Sequence, residues 1–379
     1  MFEINPRTKS FSKSKIFFIK LENFVKYFFF IFVVIINFLF KKKSLYTLDL
    51  CSYKDTRFIN YLFFSLKKNF LFTYNIDLNI FALIKQVGIK NFLFHCSPNF
   101  KNKKKKKLKL LINSKKKFLS NHFSINTDYF SSLNIKSDKI IMPYYLYPRI
   151  YNKNYDRISE LNKEKKVFKI IFSGSTHKEV YGQFKWTHKD QSPMLNRNQI
   201  INFVTKEFNT EIYYLKNNDD FQNAIRSKKN IILSLNEGLV KKTKSKLSNI
   251  NHLKFISKSM FFITAPGTGM PLCHHIIESI KFGTIPITSY PDLLYPKLDS
   301  NLCLSFQTLS ELYTVIKKAI TMEQEQIEKK QNNLINFYNT MLSPKSFYKT
   351  LVLSNFEKEI IACNDHDSAK IFLENKLHN

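Results

Sequence analysis

The sequence predicts an α/β protein made of two facing Rossmann-like domains, each a parallel sheet covered by helices. Three observations lead there. Short apolar runs alternate with amphipathic stretches along the chain, as successive β–α–β units require. Pro143 and Pro148, followed by a charged stretch at 152–166, interrupt that alternation, since such prolines fit neither a helix interior nor a central strand. The 379 residues, 44% of them hydrophobic, suffice for two cores of ordinary size.

Taken in order, residues 1–43 form a basic and partly apolar N-terminal segment. Within it, residues 24–40 read FVKYFFFIFVVIINFLF and are closed by three lysines at 41–43. A spanning helix needs about 20 apolar residues, and this run is shorter and carries Lys26 and Asn37. Peripheral attachment to an anionic membrane surface is therefore expected, with a single-pass anchor at 24–40 as the alternative. The first domain, 44–150, is expected to place strands at 45–51, 70–74, 91–96, 108–113 and 139–142, with helices at 56–67 and 78–87. The lysine-rich run at 101–107 reads as an exposed loop.

The second domain, 151–343, opens with a buried strand at 167–172 that runs into Ser173-Gly174-Ser175-Thr176. A first strand ending in a small-residue loop is where a Rossmann-like unit places its ligand. An insert at 177–192 follows, with the chain's one tryptophan, Trp186. Pro193 is then expected to open a helix bearing Arg197. Strands are expected at 211–215, 230–235 and 301–306, and helices at 220–227, 247–259 and, as one long region, 310–338. The tail at 344–379 is expected to be helical.

The densest chemistry lies at 260–286, MFFITAPGTGMPLCHHIIESIKFGTIP, which holds three of the chain's seven glycines. An apolar strand ends at Ala265-Pro266-Gly267. Gly267 and Gly269 permit positive φ and close approach of a ligand to the backbone, and Pro271 suits the first position of a helix. On that helix Leu272, Ile276 and Ile280 form a packing stripe, while His274 and Glu278 lie one turn apart on another face. A loop leading into a helix N-terminus suits a diphosphate, and Glu278 is placed to accept hydrogen bonds from a ribose diol. Gly283 ends the helix and the next strand begins at 285–287.

The order PG, MP, CHH, E and GTIPI resembles the donor-binding segment of exostosin-like glycosyltransferases, over residues 167–306. The resemblance implies the two-domain architecture called GT-B and a sugar passed from a nucleotide-sugar donor to a glycan or lipid-linked acceptor, with inversion. It implies that Glu278 holds the donor's ribose, and it brings Arg197 toward the donor phosphates. Gly174, Ser175, Gly267, Thr268, Gly269 and His274 complete the expected donor-binding set. Of the two adjacent histidines, His274 is expected to reach phosphate or sugar and His275 to be satisfied in the core. A general base should come from the first domain, and Asp55, Asp77 and His95 follow candidate strand ends.

Other classes lack their motifs. There is no GxSxG, no GxxxxGK[ST], and Asp365-His366-Asp367 is the one Asp-x-Asp pattern, in the C-terminal tail. No metal and no other cofactor is therefore expected. Five cysteines without a CxxC pair fit a reducing compartment, and no cleavable secretory signal is read at the start, so the expected setting is cytoplasmic and membrane-peripheral. The net charge of +31 admits nucleic acid. No zinc-finger, RNP-type or helix-turn-helix signature accompanies it, so nucleic acid is not an expected partner. A non-catalytic basic α/β protein binding nucleic acid or anionic lipid is the alternative function.

Overall fold

The structure is a computed structural model that describes residues 46–49, 58–67, 70–74, 96–98, 107–112, 122–133, 139–153, 155–182, 186–188, 192–236, 247–354 and 358–363. The segment at 24–40, the helix expected at 78–87, and Asp55, Asp77 and His95 lie outside these residues. No helix among the described residues is long and apolar enough to cross a membrane.

The chain divides into two compact units. In the first, β1 (Tyr46–Asp49) pairs in parallel with β2 (Phe70–Tyr74) and β4 (Lys107–Ile112), and β2 pairs in parallel with β3 (Cys96–Pro98). The strand order is thus β3-β2-β1-β4. Parallel neighbours need a crossover connection, so this order is the signature of β–α–β winding.

The second unit contains residues 123–379. There β5 (His122–Asn126) and β6 (Ile140–Ile141) flank β13 (Ile360–Ile361), all in parallel. The tail expected to be helical is therefore only partly so. The Pro344–Leu353 helix, capped by Ser343, is followed by β13. Ile360 and Ile361 are fully buried between two strands, and that tertiary pairing overrides local preference.

The same unit holds a six-stranded, all-parallel sheet: β7 (Phe168–Ser175), β8 (Ile212–Tyr214), β9 (Ile231–Asn236), β10 (Ser259–Ile263), β11 (Ile285–Thr288) and β12 (Leu304–Ser305). The order is β12-β11-β10-β7-β9-β8. Its central strands are continuous apolar runs because helices cover both faces: Ile170, Ile171, Phe172, Leu233, Phe261, Phe262 and Ile263 are all buried. From β7 the chain winds to one side through β8 and β9, then crosses to β10 on the other. The neighbouring strands β7 and β10 thus define the switch point, and ligands of open α/β sheets bind outside the carboxyl ends of such strands.

Three helix boundaries differ from expectation. The helix after β10 is His274–Lys281 and does not begin at Pro271; the Gly267 N–H donates to the Pro271 carbonyl, 3.1 Å, so the chain is still closing a turn there. The helix placed at Pro193 begins at Arg197, where Asn196 and Gln199 form a reciprocal capping box, while Pro193 bridges Thr187 in the insert. The region at 310–338 is two helices, Leu309–Thr321 and Gln324–Phe337, parted at Met322, whose backbone is extended.

Candidate functional site

The site is built at the carboxyl ends of β7 and β10. β7 ends in Ser173, Gly174 and Ser175, and β10 leads through Ala265, Pro266 and Gly267 to the His274–Lys281 helix. Ile276, Ile277 and Ile280 bury that helix against the sheet and Gly283 ends it at φ 61°, so its polar residues are carried inward on a fixed scaffold. Leu272 is buried with Ile276 and Ile280 as the packing stripe requires, although it precedes the helix.

Glu278 is 3% exposed and its neighbours compensate its charge. His252, on the Asn249–Ser257 helix, donates Nε2–H to Glu278 Oε2 at 3.3 Å. With that proton on Nε2, His252 Nδ1 accepts from the Ser173 hydroxyl at 2.9 Å. Burial alone would push the Glu278 carboxyl up. The hydrogen bond from His252 and the charges of His275, His252 and His274 outweigh burial and hold it down at about 2. His275 is pushed the other way, down to about 4, first by burial and further by the Arg197 guanidinium, against the pull of Glu278. Near neutral pH His275 is therefore uncharged and Glu278 ionised, with the hydrogen bond from His252 as the support that persists.

The structure exchanges the expected parts of the two histidines. His274 is buried, donates from Nδ1 to the Tyr145 carbonyl at 3.0 Å, and stacks on the Tyr144 ring with centroids 5.2 Å apart. His275 instead lies 4.9 Å from His252, ring centre to ring centre, and next to Gly174, where a Cβ would meet His275 Cε1 at 3.3 Å. Both histidines lie within one turn of Glu278, and it is their partners that separate them: His274 is held by Tyr144 and Tyr145, and His275 faces His252 and Gly174.

Arg197 joins the two loops. It is 3% exposed, and its guanidinium donates to the Ser175 carbonyl at 3.1 Å and the Pro266 carbonyl at 3.1 Å. Its Cζ lies 3.9 Å from the centre of the Tyr181 ring. The first turn of the Arg197–Glu207 helix thus holds the end of β7 against the loop after β10.

Gly267 is needed for space. Neither Gly267 nor Gly269 has positive φ, in contrast to the expectation, and a Cβ on Gly267 would lie 2.8 Å from the carbonyl oxygens of both Leu272 and Met270. Its N–H is used by Pro271, and its carbonyl accepts from Trp186 Nε1 at 3.1 Å. Gly267 therefore shapes the loop, and the insert closes over it through Trp186. Thr268 and Gly269 follow in the same turn, ahead of the helix.

Of the expected donor-binding residues, Gly174, Ser175, Arg197 and Gly267 meet at the two strand ends. Glu278 reaches the end of β7 through His252 and Ser173. His252 went unrecognised in sequence: it is one histidine in an ordinary amphipathic helix, and its partners are brought to it by the sheet. His275 was legible only as half of a pair.

No family model matches the chain, and no curated protein does. Among solved structures, the chain is similar to the Anabaena protein HepE in complex with UDP, at 8% identity and a TM-score of 0.42 over 83% of this chain and 99% of that one. It is similar to a putative UDP-N-acetylglucosamine 2-epimerase from Listeria monocytogenes, at 8% identity and 0.38 over 84% and 100%. It is similar to an alpha1,3-fucosyltransferase, at 12% identity and 0.30 over 81% and 92%. At these scores the likenesses carry no argument about activity. The parallel sheets define an α/β protein, and the residues at the switch point form a candidate ligand site at its strand ends.

Proposed function

We propose that the chain is a nucleotide-sugar-dependent glycosyltransferase that passes a sugar to a glycan or lipid-linked acceptor, by an inverting, metal-independent displacement at the periphery of a membrane. The observation that carries this is a buried, ionised carboxylate, Glu278, held by His252 beside the strand ends of a parallel sheet. An ionised carboxylate accepts more hydrogen bonds than the one from His252, and a ribose diol supplies two donors. The turn at 268–269 and the N-terminus of the His274–Lys281 helix offer backbone N–H groups and a positive dipole end to the diphosphate. Arg197 keeps the two loops at the separation this needs. As the sugar leaves, negative charge grows on the diphosphate, and fixed dipoles stabilise it with little reorganisation.

Thermal unfolding of the purified chain in EDTA, with UDP- and GDP-sugars added one at a time, tests the reading. One nucleotude series should raise the midpoint saturably, by several degrees at a concentration about 100-fold above its Kd. If no nucleotide did so while RNA or anionic vesicles did, the chain would be a binding protein and this reading would fall.

A further inference from the structure

We infer that His252, His275 and Glu278 form a three-ligand site for a zinc-class divalent cation. Each residue offers one ligand atom, and the three atoms lie within 4.8 Å of one another. Around a tetrahedral ion with bonds of ~2.0–2.2 Å, neighbouring donors stand about 3.4 Å apart. His252 Nε2 and Glu278 Oε2 already stand 3.3 Å apart, on one edge of such a tetrahedron. His275 is the third ligand, its nitrogen within 4.8 Å of the other two donor atoms, and it must draw closer to coordinate the ion.

The donor set selects the metal. Two imidazoles and one carboxylate suit zinc or cobalt, whereas magnesium and calcium take oxygen ligands. The support of His252 is also of the right kind. Ligating histidines are oriented by a hydrogen bond from the second ring nitrogen, and His252 Nδ1 lies 2.9 Å from Ser173 Oγ. A hydroxyl accepts as well as donates, so Ser173 holds the ring whichever nitrogen carries the proton. On metal binding His252 gives up its Nε2 proton and takes one up at Nδ1, with no net proton released, so that Nδ1–H then donates to Ser173 Oγ. His252 keeps 18% of its side chain exposed, which gives an ion a way in and lets water fill the fourth position. The positive charge of Arg197 is directed elsewhere, its guanidinium being turned onto the carbonyls of Ser175 and Pro266.

The site goes beyond the proposed transfer and meets it at one residue. A cation on Glu278 occupies the carboxylate that the donor's ribose would need, so zinc is expected to oppose nucleotide binding, a point that rests on the donor reading.

The test is a cobalt titration of the EDTA-treated, dialysed full chain without nucleotide, followed by visible absorption and by calorimetry with zinc. Saturable 1:1 binding with the intense bands of four-coordinate cobalt, and without thiolate charge-transfer bands, is expected. His252→Gln and His275→Gln should each weaken it at least tenfold, and Ser173→Ala about tenfold. No saturable binding, thiolate bands, or binding unchanged in both histidine variants would overturn the site. Should a variant fail to fold, the spectrum of the parent decides alone. UDP affinity unchanged in saturating zinc would count against Glu278 as the ribose acceptor and leave the metal site standing. Absence of cobalt binding would leave the donor reading untouched.

Discussion

At the scale of single residues, the site depends on charge placed where burial opposes it and on atoms that leave no room. Glu278 shows the first. A carboxyl this buried would ordinarily stay protonated, and the hydrogen bond from His252 reverses that. Gly267 shows the second. Gly267→Ala puts a methyl 2.8 Å from two backbone carbonyl oxygens, neither of which can rotate away. We expect it to destabilise the protein by roughly 1–3 kcal/mol, read from chemical denaturation. A neutral effect would mean that the 267–272 turn opens easily and does not hold a fixed ligand site. The placement of Glu278 on the helix after β10 was legible in sequence from its place behind CHH and ahead of the capping glycine. Its pairing with His252 was not, because that comes from contacts with Ser173 and Glu278 that only the wound sheet creates. The exchange of His274 and His275 was equally hidden, since both lie within a turn of Glu278 and the residues that part them, Tyr144 and Tyr145 for one and His252 and Gly174 for the other, are distant in sequence.

At the scale of elements, the unit from β10 through the His274–Lys281 helix to β11 is anchored at its far end by Lys166. Its ammonium donates to the Phe282 carbonyl at 2.8 Å and to Thr284 Oγ1 at 2.9 Å, just past the helix. Burial pushes Lys166 down from 10.5 to about 7. Between those values the unfolded chain holds a proton that the folded chain has released, so stability rises with pH across the window and falls as pH returns toward 7. Urea unfolding from about pH 7 to pH 9.5 should show the parent gaining stability relative to Lys166→Met, and parallel curves would show that the lysine titrates normally. The strands of the six-stranded sheet were legible because strands buried on both faces read as unbroken apolar runs. Helix starts were less so: Pro193 and Pro271 both resemble first positions, yet Pro193 bridges Thr187 and Pro271 closes a turn with Gly267, and Asn196 with Gln199 was the cap to look for. β13 was invisible, being two isoleucines whose strand character comes from burial between β5 and β6.

At the scale of the whole molecule, the net charge of +31 sets how the chain meets its surroundings. If attachment to membranes is electrostatic, binding to anionic vesicles should be strong at about 0.1 M salt and lost near 1 M, where the screening length falls from ~10 Å to ~3 Å. Vesicle binding that survives high salt would point to an inserted anchor instead. The α/β class was legible because strand and helix alternate along most of the chain, whereas the chemistry depends on which strand ends the winding brings together. The most direct measurement is calorimetric titration of the parent, Glu278→Gln and Glu328→Gln with the stabilising nucleotide in EDTA. Gln keeps the shape of the side chain and removes its charge, which should cost about 1.5–3 kcal/mol in a buried, charge-assisted pair. Affinity should fall roughly tenfold to a hundredfold for Glu278→Gln, with the fold intact, and stay unchanged for Glu328→Gln on the exposed face of the Gln324–Phe337 helix. A folded Glu278→Gln that binds as tightly as the parent would contradict the account, and Glu278 would then be a structural residue of its helix.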